Sequence, residues 1–300
     1  MTSPVREGQT FTGASGLVRY VNLVKLPHTV FALPFALVGV TLASYVAPVT
    51  VLKVVWVVVA FTAARFAAMG FNRIVDRDVD ALNPRTKSRE IPSGALSVAS
   101  ASVAVAIACA VFVLAAWQLN RLCLLLSPLA LGWVLFYSFT KRFTRLCHIV
   151  LGIGLSIAPV GGYLAVTGQW SDPWWMLVLL ATAVATWVGG FDILYALQDI
   201  DFDCAQGLHS LPAALGERNA LTIARSLHVC TVLALAGVGL AIGAHWIYWM
   251  GVLVATALLL YEHSLVRPGE LGRLDAAFFT MNGVISILFF AFVLTERLAA

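Results

Sequence analysis

Nine times along this chain a run of about twenty apolar residues passes with almost no charge in it, and that repetition narrows the fold before any motif is read. A hydrocarbon core about 30 Å thick needs about 20 helical residues to cross it. The runs fall at roughly 26–48, 51–71, 98–118, 121–139, 147–168, 174–196, 219–242, 244–262 and 274–295. Unbroken runs of this length predict helices, because a membrane β-barrel would show short alternating segments instead. Hydrophobic residues make up 60% of the 300, well above the roughly 45–50% of a soluble domain. The expectation is an all-α integral membrane protein, a single domain over 1–300 with a polar N-terminal tail at about 1–17. No secretory leader pattern precedes the first span, so that span is expected to remain in the mature chain. The five cysteines form no C-x-x-C pair and point to neither a disulfide framework nor a zinc site.

Basic residues test the division into spans, since Lys and Arg collect in every second connection when helices are counted correctly. Arg6, Arg19 and Lys25 precede the first span. Arg73, Arg77, Arg85, Lys87 and Arg89 follow the second, Lys141, Arg142 and Arg145 the fourth, and Arg218, Arg267 and Arg273 the later even-numbered ones. Only Lys53, Arg121 and Arg297 fall on the opposite side. This predicts a multi-pass protein of a bacterial-type inner membrane, with its N-terminus inside, its C-terminus outside and its active side facing the cytoplasm. The net charge of +4 is accounted for by these residues, and no nucleic-acid partner is expected.

The acids are more concentrated still. Of 15 Asp and Glu residues, seven fall in two clusters on the cytoplasmic side: Asp76, Asp78 and Asp80, then Asp192, Asp199, Asp201 and Asp203. Asn72, Asp76 and Asp80 are spaced by four, which on a helix places them on one face about 6 Å apart. Asp192, Asp199 and Asp203, spaced by seven and four, are expected to share a face as well, with Asp78 and Asp201 pointing away. Both faces offer oxygen and neither sulfur nor imidazole, the preference of a hard cation such as Mg²⁺. Mg²⁺ takes one or two carboxylates together with water and phosphate oxygens, which suits two half-sites facing each other across a phosphate. Arg85, Lys87, Arg89, Lys141 and Arg142 supply charge to balance such a polyanion. Arg65, seven residues before Asn72 and inside the second span, is a costly membrane arginine and a functional candidate. The plainer alternative is that the acids are solvated loop charges and the bases only set topology. Repetition of the spacing at helix ends on one side, in a chain that avoids acids elsewhere, weighs against it.

NRIVDRDVD (72–80) followed by NPRTKSREIPSG (83–94) resembles the first signature of the UbiA superfamily of intramembrane aromatic prenyltransferases. YALQDIDFDCAQGLHSLP (195–212) resembles the second, Asp192 also matches, and YSFTKRFT (137–144) is similar to the basic segment between the fourth and fifth helices. The resemblance extends over nearly the whole chain. It implies a UbiA-like fold of nine transmembrane helices around a central cavity, with Mg²⁺ held by Asn72, Asp76, Asp80, Asp199 and Asp203. It also implies a polyprenyl diphosphate supported by Lys141, Arg142 and the neighbouring cations, and ionisation of its allylic C–O bond. The ring of an aromatic acid, 4-hydroxybenzoate or a dihydroxynaphthoate, would attack, with Asp192 orienting or deprotonating it and Arg65 suited to its carboxylate. Phe71, Tyr137, Phe191 and Tyr195 are placed to steady the carbocation. RFAAMGFNRIVDRDVDALNPRT and FDILYALQDIDFDCAQGLHSLPA look most like the 4-hydroxybenzoate polyprenyltransferase-like group, including a branch of menaquinone synthesis.

Other members of the superfamily, with haem or lipid acceptors, stay open, as does a cation-coupled transporter. A transporter would carry its acids near the bilayer midplane, whereas these sit at helix ends. His209 in GLHSLP is read either as part of a lid or as a loop histidine held locally. His28 is expected to be interfacial, and Gly152, Gly154, Gly161 and Gly162 to permit close helix contact.

Overall fold

The structure, a computed structural model, describes residues 16–24, 26–266 and 280–300, apart from the side chains of residues 17 and 26–31. The tail at 1–15, Lys25, Arg267, Arg273 and the His28 side chain therefore lie outside the described residues. The helices are α1 (Gly16–Leu23), α2 (Leu26–Ala43), α3 (Val51–Val75), α4 (Arg77–Leu82), α5 (Val98–Leu119), α6 (Arg121–Thr140), α7 (Cys147–Thr167), α8 (Trp175–Ala196), α9 (Ile200–Ala205), α10 (Leu211–Leu215), α11 (Glu217–Ala241), α12 (Trp246–Leu265) and α13 (Asn282–Ala299). A 3₁₀ turn, Leu197–Asp199, joins α8 to α9, and there is no strand among the described residues.

Seven helices among the described residues are long and apolar enough to cross a bilayer: α3, α5, α6, α7, α8 with its continuation to Ala205, α11 and α13. The 18-residue α2 and the 20-residue α12 lie where the other two expected spans fall. α12 carries Glu262 and His263 near its end, which dilutes its apolar character.

Local chemistry starts these helices where the runs begin. The side chains of Thr50, Ser97, Asn120 and Ser210 accept the backbone N–H of Lys53, Ser100, Cys123 and Ala213, satisfying amides that a helix start leaves unpaired. Successive long helices pack side by side from α2 through α3, α5, α6, α7, α8, α11, α12 and α13, and α13 returns to α2, closing the circuit. α7 also packs along α2, so one side of the ring is thick. Val38, Leu177, Leu180, Val184, Leu235 and Phe289 are buried in that thick side.

Glycine decides how closely α7 approaches its neighbours. A Cβ at Gly152 would collide with the Ala185 carbonyl of α8, and one at Gly162 with the Ala36 carbonyl of α2. These two positions behave as expected. Gly161 does not: a Cβ there would meet nothing within 4 Å, because Gly161 lines the central cavity. Gly154 also lines the cavity, and a Cβ there would meet the Trp133 ring at 3.5 Å, an ordinary van der Waals contact.

Gly152→Val is therefore expected to lower the thermal unfolding midpoint in detergent, at a cost of about 1–3 kcal/mol or more from overpacking. Gly161→Ala should leave the midpoint within a degree or two of the unaltered protein; equal losses at both positions would contradict this packing.

Candidate active site

α3 ends at Val75 because Asp76 leaves helical geometry (φ −90°, ψ 3°), and α4 restarts at Arg77. The hydrogen-bond ladder nevertheless runs through the bend: Asp76 N–H donates to Asn72 O at 2.8 Å and Asp80 N–H to Asp76 O at 2.7 Å. Asn72, Asp76 and Asp80 thus follow one another across two helices rather than along one. The second cluster is divided. Asp192 belongs to α8, Asp199 closes the 3₁₀ turn and Asp203 belongs to α9. The tighter winding of the turn shifts Asp199 around the axis relative to Asp192, and the three aspartates take different partners: His148 for Asp192, Arg85 for Asp199 and Lys141 for Asp203. Asp78 and Asp201 are exposed.

Each inward aspartate meets a base from another segment. Arg85 lies bidentate on Asp199, Nε to Oδ1 at 3.1 Å and Nη2 to Oδ2 at 2.6 Å, while its Nη1 donates to Tyr195 Oη at 3.0 Å. Arg89 donates to Asp80 Oδ1 at 2.6 Å. From the turn after α6, Arg142 reaches Asp76 at 2.9 Å and Lys141 reaches Asp203 at 2.7 Å. The Lys-Arg tip thereby touches both acidic clusters, and Arg85 carries the first loop onto the second. Asn72 Nδ2 donates to Asp76 Oδ2 at 2.8 Å. Burial pushes the Asp76 carboxyl up from the usual carboxylate range; the Arg142 charge opposes that rise and the Asp80 charge adds to it. Lys87 is exposed and joins none of these pairs.

Beneath this polar end lies a cavity of about 350 Å³ whose wall is mostly apolar. Arg65, Asn72, Arg73, Arg89, Asp192, Tyr195 and Asn282 are among its polar lining, and Tyr137, Trp187 and Phe191 supply aromatic faces. Trp187 and Phe191 meet edge to face with centroids 5.1 Å apart. Arg65 Nε is buried with no hydrogen-bond partner among the described residues, in a mostly apolar wall. Phe71 is not part of this lining; it packs edge-on against Phe139 at 5.8 Å, so its expected place beside the reacting centre is not met.

Three contributors escaped the sequence reading. Asn83 Nδ2 donates to Asp199 Oδ1 at 3.3 Å and its Oδ1 accepts the Arg85 N–H at 2.9 Å, shaping the loop that aims Arg85. Arg73, read only as a topology charge, is buried 3.8 Å from Asp80. His148 Nδ1 lies 2.7 Å from Asp192 Oδ2. Asn83 lies within the NPRT stretch, a signal that could have found it, but nothing local points to His148, whose partner is 44 residues away. His209 is exposed; its backbone N–H donates to Lys141 O at 2.8 Å and its carbonyl accepts from Cys147 Sγ at 3.5 Å, so the loop is held locally.

The donor set suits a hard divalent cation. Asp80 Oδ2 and Asp203 Oδ2 are buried oxygens with no hydrogen-bond donor among the described residues, the condition a cation relieves. No three His, Cys, Asp or Glu side chains gather tightly enough among the described residues to hold an ion by themselves. Phosphate oxygens would have to complete the shell, as they commonly do for Mg²⁺.

Helices close around an apolar cavity that carries an acid-and-arginine end, the arrangement of an intramembrane protein with one polar site. Residues 32–290 match the UbiA prenyltransferase family, and the chain belongs to it: it is a multi-pass membrane prenyltransferase. Among its relatives, the 4-hydroxybenzoate octaprenyltransferase of Citrobacter koseri is 32% identical over 240 residues, covering 78% of this chain and 81% of that one. The enzyme of the same description from Tolumonas auensis is 32% identical over 233 residues, covering 76% and 80%. The apo structure of a UbiA homolog from Aeropyrum pernix K1 superposes with a TM-score of 0.82 at 34% identity, covering 90% of this chain and 98% of that one. A UbiA homolog from Archaeoglobus fulgidus bound to GPP and Mg²⁺ shares the fold at a TM-score of 0.68 and 21% identity, over 93% and 99% of the two chains.

Arg89→Met leaves the Asp80 carboxylate buried without its closest base. The expected loss of unfolding free energy is about 3–5 kcal/mol, and adding Asp80→Asn should restore part of it. Thermal or denaturant unfolding of the single and double variants checks this; a double variant as unstable as the sum of the singles would contradict the pairing.

Proposed function

We propose that this chain, acting as a single domain over 1–300, transfers a polyprenyl group from a polyprenyl diphosphate to the ring of an aromatic carboxylic acid, with 4-hydroxybenzoate the first choice of acceptor. The observation that carries the reading is the joining of two acid-rich helix ends by Arg85, Lys141 and Arg142 at the polar end of an apolar cavity whose wall holds Arg65 and Asp192. The names of the relatives support 4-hydroxybenzoate over a dihydroxynaphthoate, and in this reading the product serves quinone biosynthesis.

In this reading Asn72, Asp76, Asp80, Asp199 and Asp203 hold Mg²⁺. The bound metal supplies charge that neutralises the departing diphosphate. Arg85, Arg89, Lys141 and Arg142 present donors to the phosphate oxygens, and guanidinium forks suit phosphate as well as they suit carboxylate. Lys87, exposed on the same loop, meets the incoming diphosphate. The allylic C–O bond breaks with its electron pair leaving on the diphosphate. A ring carbon ortho to the phenol then forms the new C–C bond, and the hydrogen on that carbon departs as a proton, restoring aromaticity. Asp192, the carboxylate among the residues that line the cavity, orients the phenolic hydroxyl and receives the proton; Arg65 takes the acceptor's carboxylate. Tyr137, Phe191 and Tyr195 face the cationic carbon, and the apolar wall excludes water that would otherwise capture it. The polar end faces the cytoplasm of an inner membrane, with the N-terminus inside, by the distribution of Lys and Arg.

Purified protein with Mg²⁺, a polyprenyl diphosphate and 4-hydroxybenzoate is expected to yield prenylated 4-hydroxybenzoate and one diphosphate per product. Chelation should abolish turnover, and Asp199→Asn should lower it on the order of 10²–10³-fold. Transfer to a dihydroxynaphthoate alone would overturn the choice of acceptor; intact diphosphate with both rings would overturn the reading itself.

A further inference from the structure

His148 is the second residue of α7 and is buried, at 3% exposure. Its ring is clamped from two sides. Nδ1 lies 2.7 Å from Asp192 Oδ2 on α8, and Nε2 accepts the backbone N–H of Leu211, the first residue of α10, at 3.4 Å. A backbone amide can only donate, so the lone pair is on Nε2 and the ring proton on Nδ1, donated to Asp192. That leaves the Asp192 carboxylate with one oxygen engaged, 22% of its side chain exposed and a place in the cavity wall.

We propose that His148 is a positioning residue for the aromatic acceptor: by donating Nδ1–H to one oxygen of Asp192 it turns the other toward the acceptor's phenolic hydroxyl. The inference rests on the acceptor reading given above and adds a residue to it. A carboxylate on a helix has free rotation about its side-chain bonds, and in a mostly apolar wall its direction matters to a ligand that has one hydroxyl to place. His148 removes that freedom because it is itself fixed by a second bond. The segment that fixes it is anchored at the diphosphate side, with Leu208 N–H donating to Asp203 O at 2.9 Å and His209 N–H to Lys141 O at 2.8 Å. Acceptor-side geometry is thereby built on the same loop that closes the diphosphate side.

The test compares His148→Ala, His148→Asn and His148→Gln in the transfer assay with 4-hydroxybenzoate, after wild-type transfer has been established; its absence would reject the underlying reading rather than this inference. An Asn amide reproduces the Nδ1–H donor, whereas a Gln amide reaches toward the Nε2 position. Loss of one hydrogen bond to a charged group should lower kcat/KM for the acceptor about ten- to a hundredfold in His148→Ala, with KM for the diphosphate substrate within about twofold. His148→Asn should recover most of that loss and His148→Gln should not. Thermal transitions of all three are recorded, and if His148→Ala does not fold, the Asn and Gln variants carry the comparison. Equal losses in Asn and Gln, or equal changes in the parameters of both substrates, would overturn the proposal.

Discussion

Arg85 lays its Nε and Nη2 on the two oxygens of Asp199, across 114 residues of sequence, and the rest of the polar end is arranged around that contact. Carboxylates this deeply placed are costly unless each finds a cation or a full set of donors. The chain meets the requirement with bases borrowed from other segments: Arg89 for Asp80, Arg142 for Asp76 and Lys141 for Asp203. The ends of α3, α6 and α8 are consequently drawn to one place. Asn83 shapes the loop that delivers Arg85, and Tyr195 takes the remaining arm of the guanidinium at 3.0 Å.

The bilayer explains why this chemistry sits at one end. Charged groups are expensive in hydrocarbon, so acids and their cations collect where the helices leave it, and the interior is left to apolar and aromatic side chains. The cavity inherits both characters, an apolar wall along α2, α3, α5, α6 and α7 and a few polar groups near its head. Close approach of α7 to α2 and α8 at Gly162 and Gly152 makes the wall on that side thick, while Gly161 and Gly154 leave room inside. An apolar chain carrying a doubly charged head fits such a container better than a wholly polar or wholly apolar ligand.

The parts legible in the sequence were those with a local period. Twenty-residue apolar runs marked the helices, and the spacing of Asn72, Asp76 and Asp80 survived because backbone hydrogen bonds continue through the bend at Asp76. Spacing did not show that a 3₁₀ turn lies between Asp192 and Asp199. It misled at Phe71, which turns to Phe139 and away from the cavity. His148 was illegible for a different reason: it stands at a helix start among apolar residues, and its meaning depends on Asp192 and Leu211, which only the fold brings near. The end of α12 blurs the span count because Glu262 is buried against Asn282 rather than placed in a loop, its Oε1 accepting from Asn282 Nδ2 at 3.0 Å.

In the proposed function the joined acidic ends bind a diphosphate together with a divalent cation, and calorimetric titration of the purified protein with an unreactive prenyl thiodiphosphate measures that binding. Strong binding is expected with Mg²⁺, weak binding after chelation, and displacement by inorganic diphosphate but not by the matching prenyl alcohol. Equal binding of the alcohol and the thiodiphosphate, with no effect of metal, would show that only the apolar cavity recognises the ligand and would contradict the role given to the aspartates and their arginines.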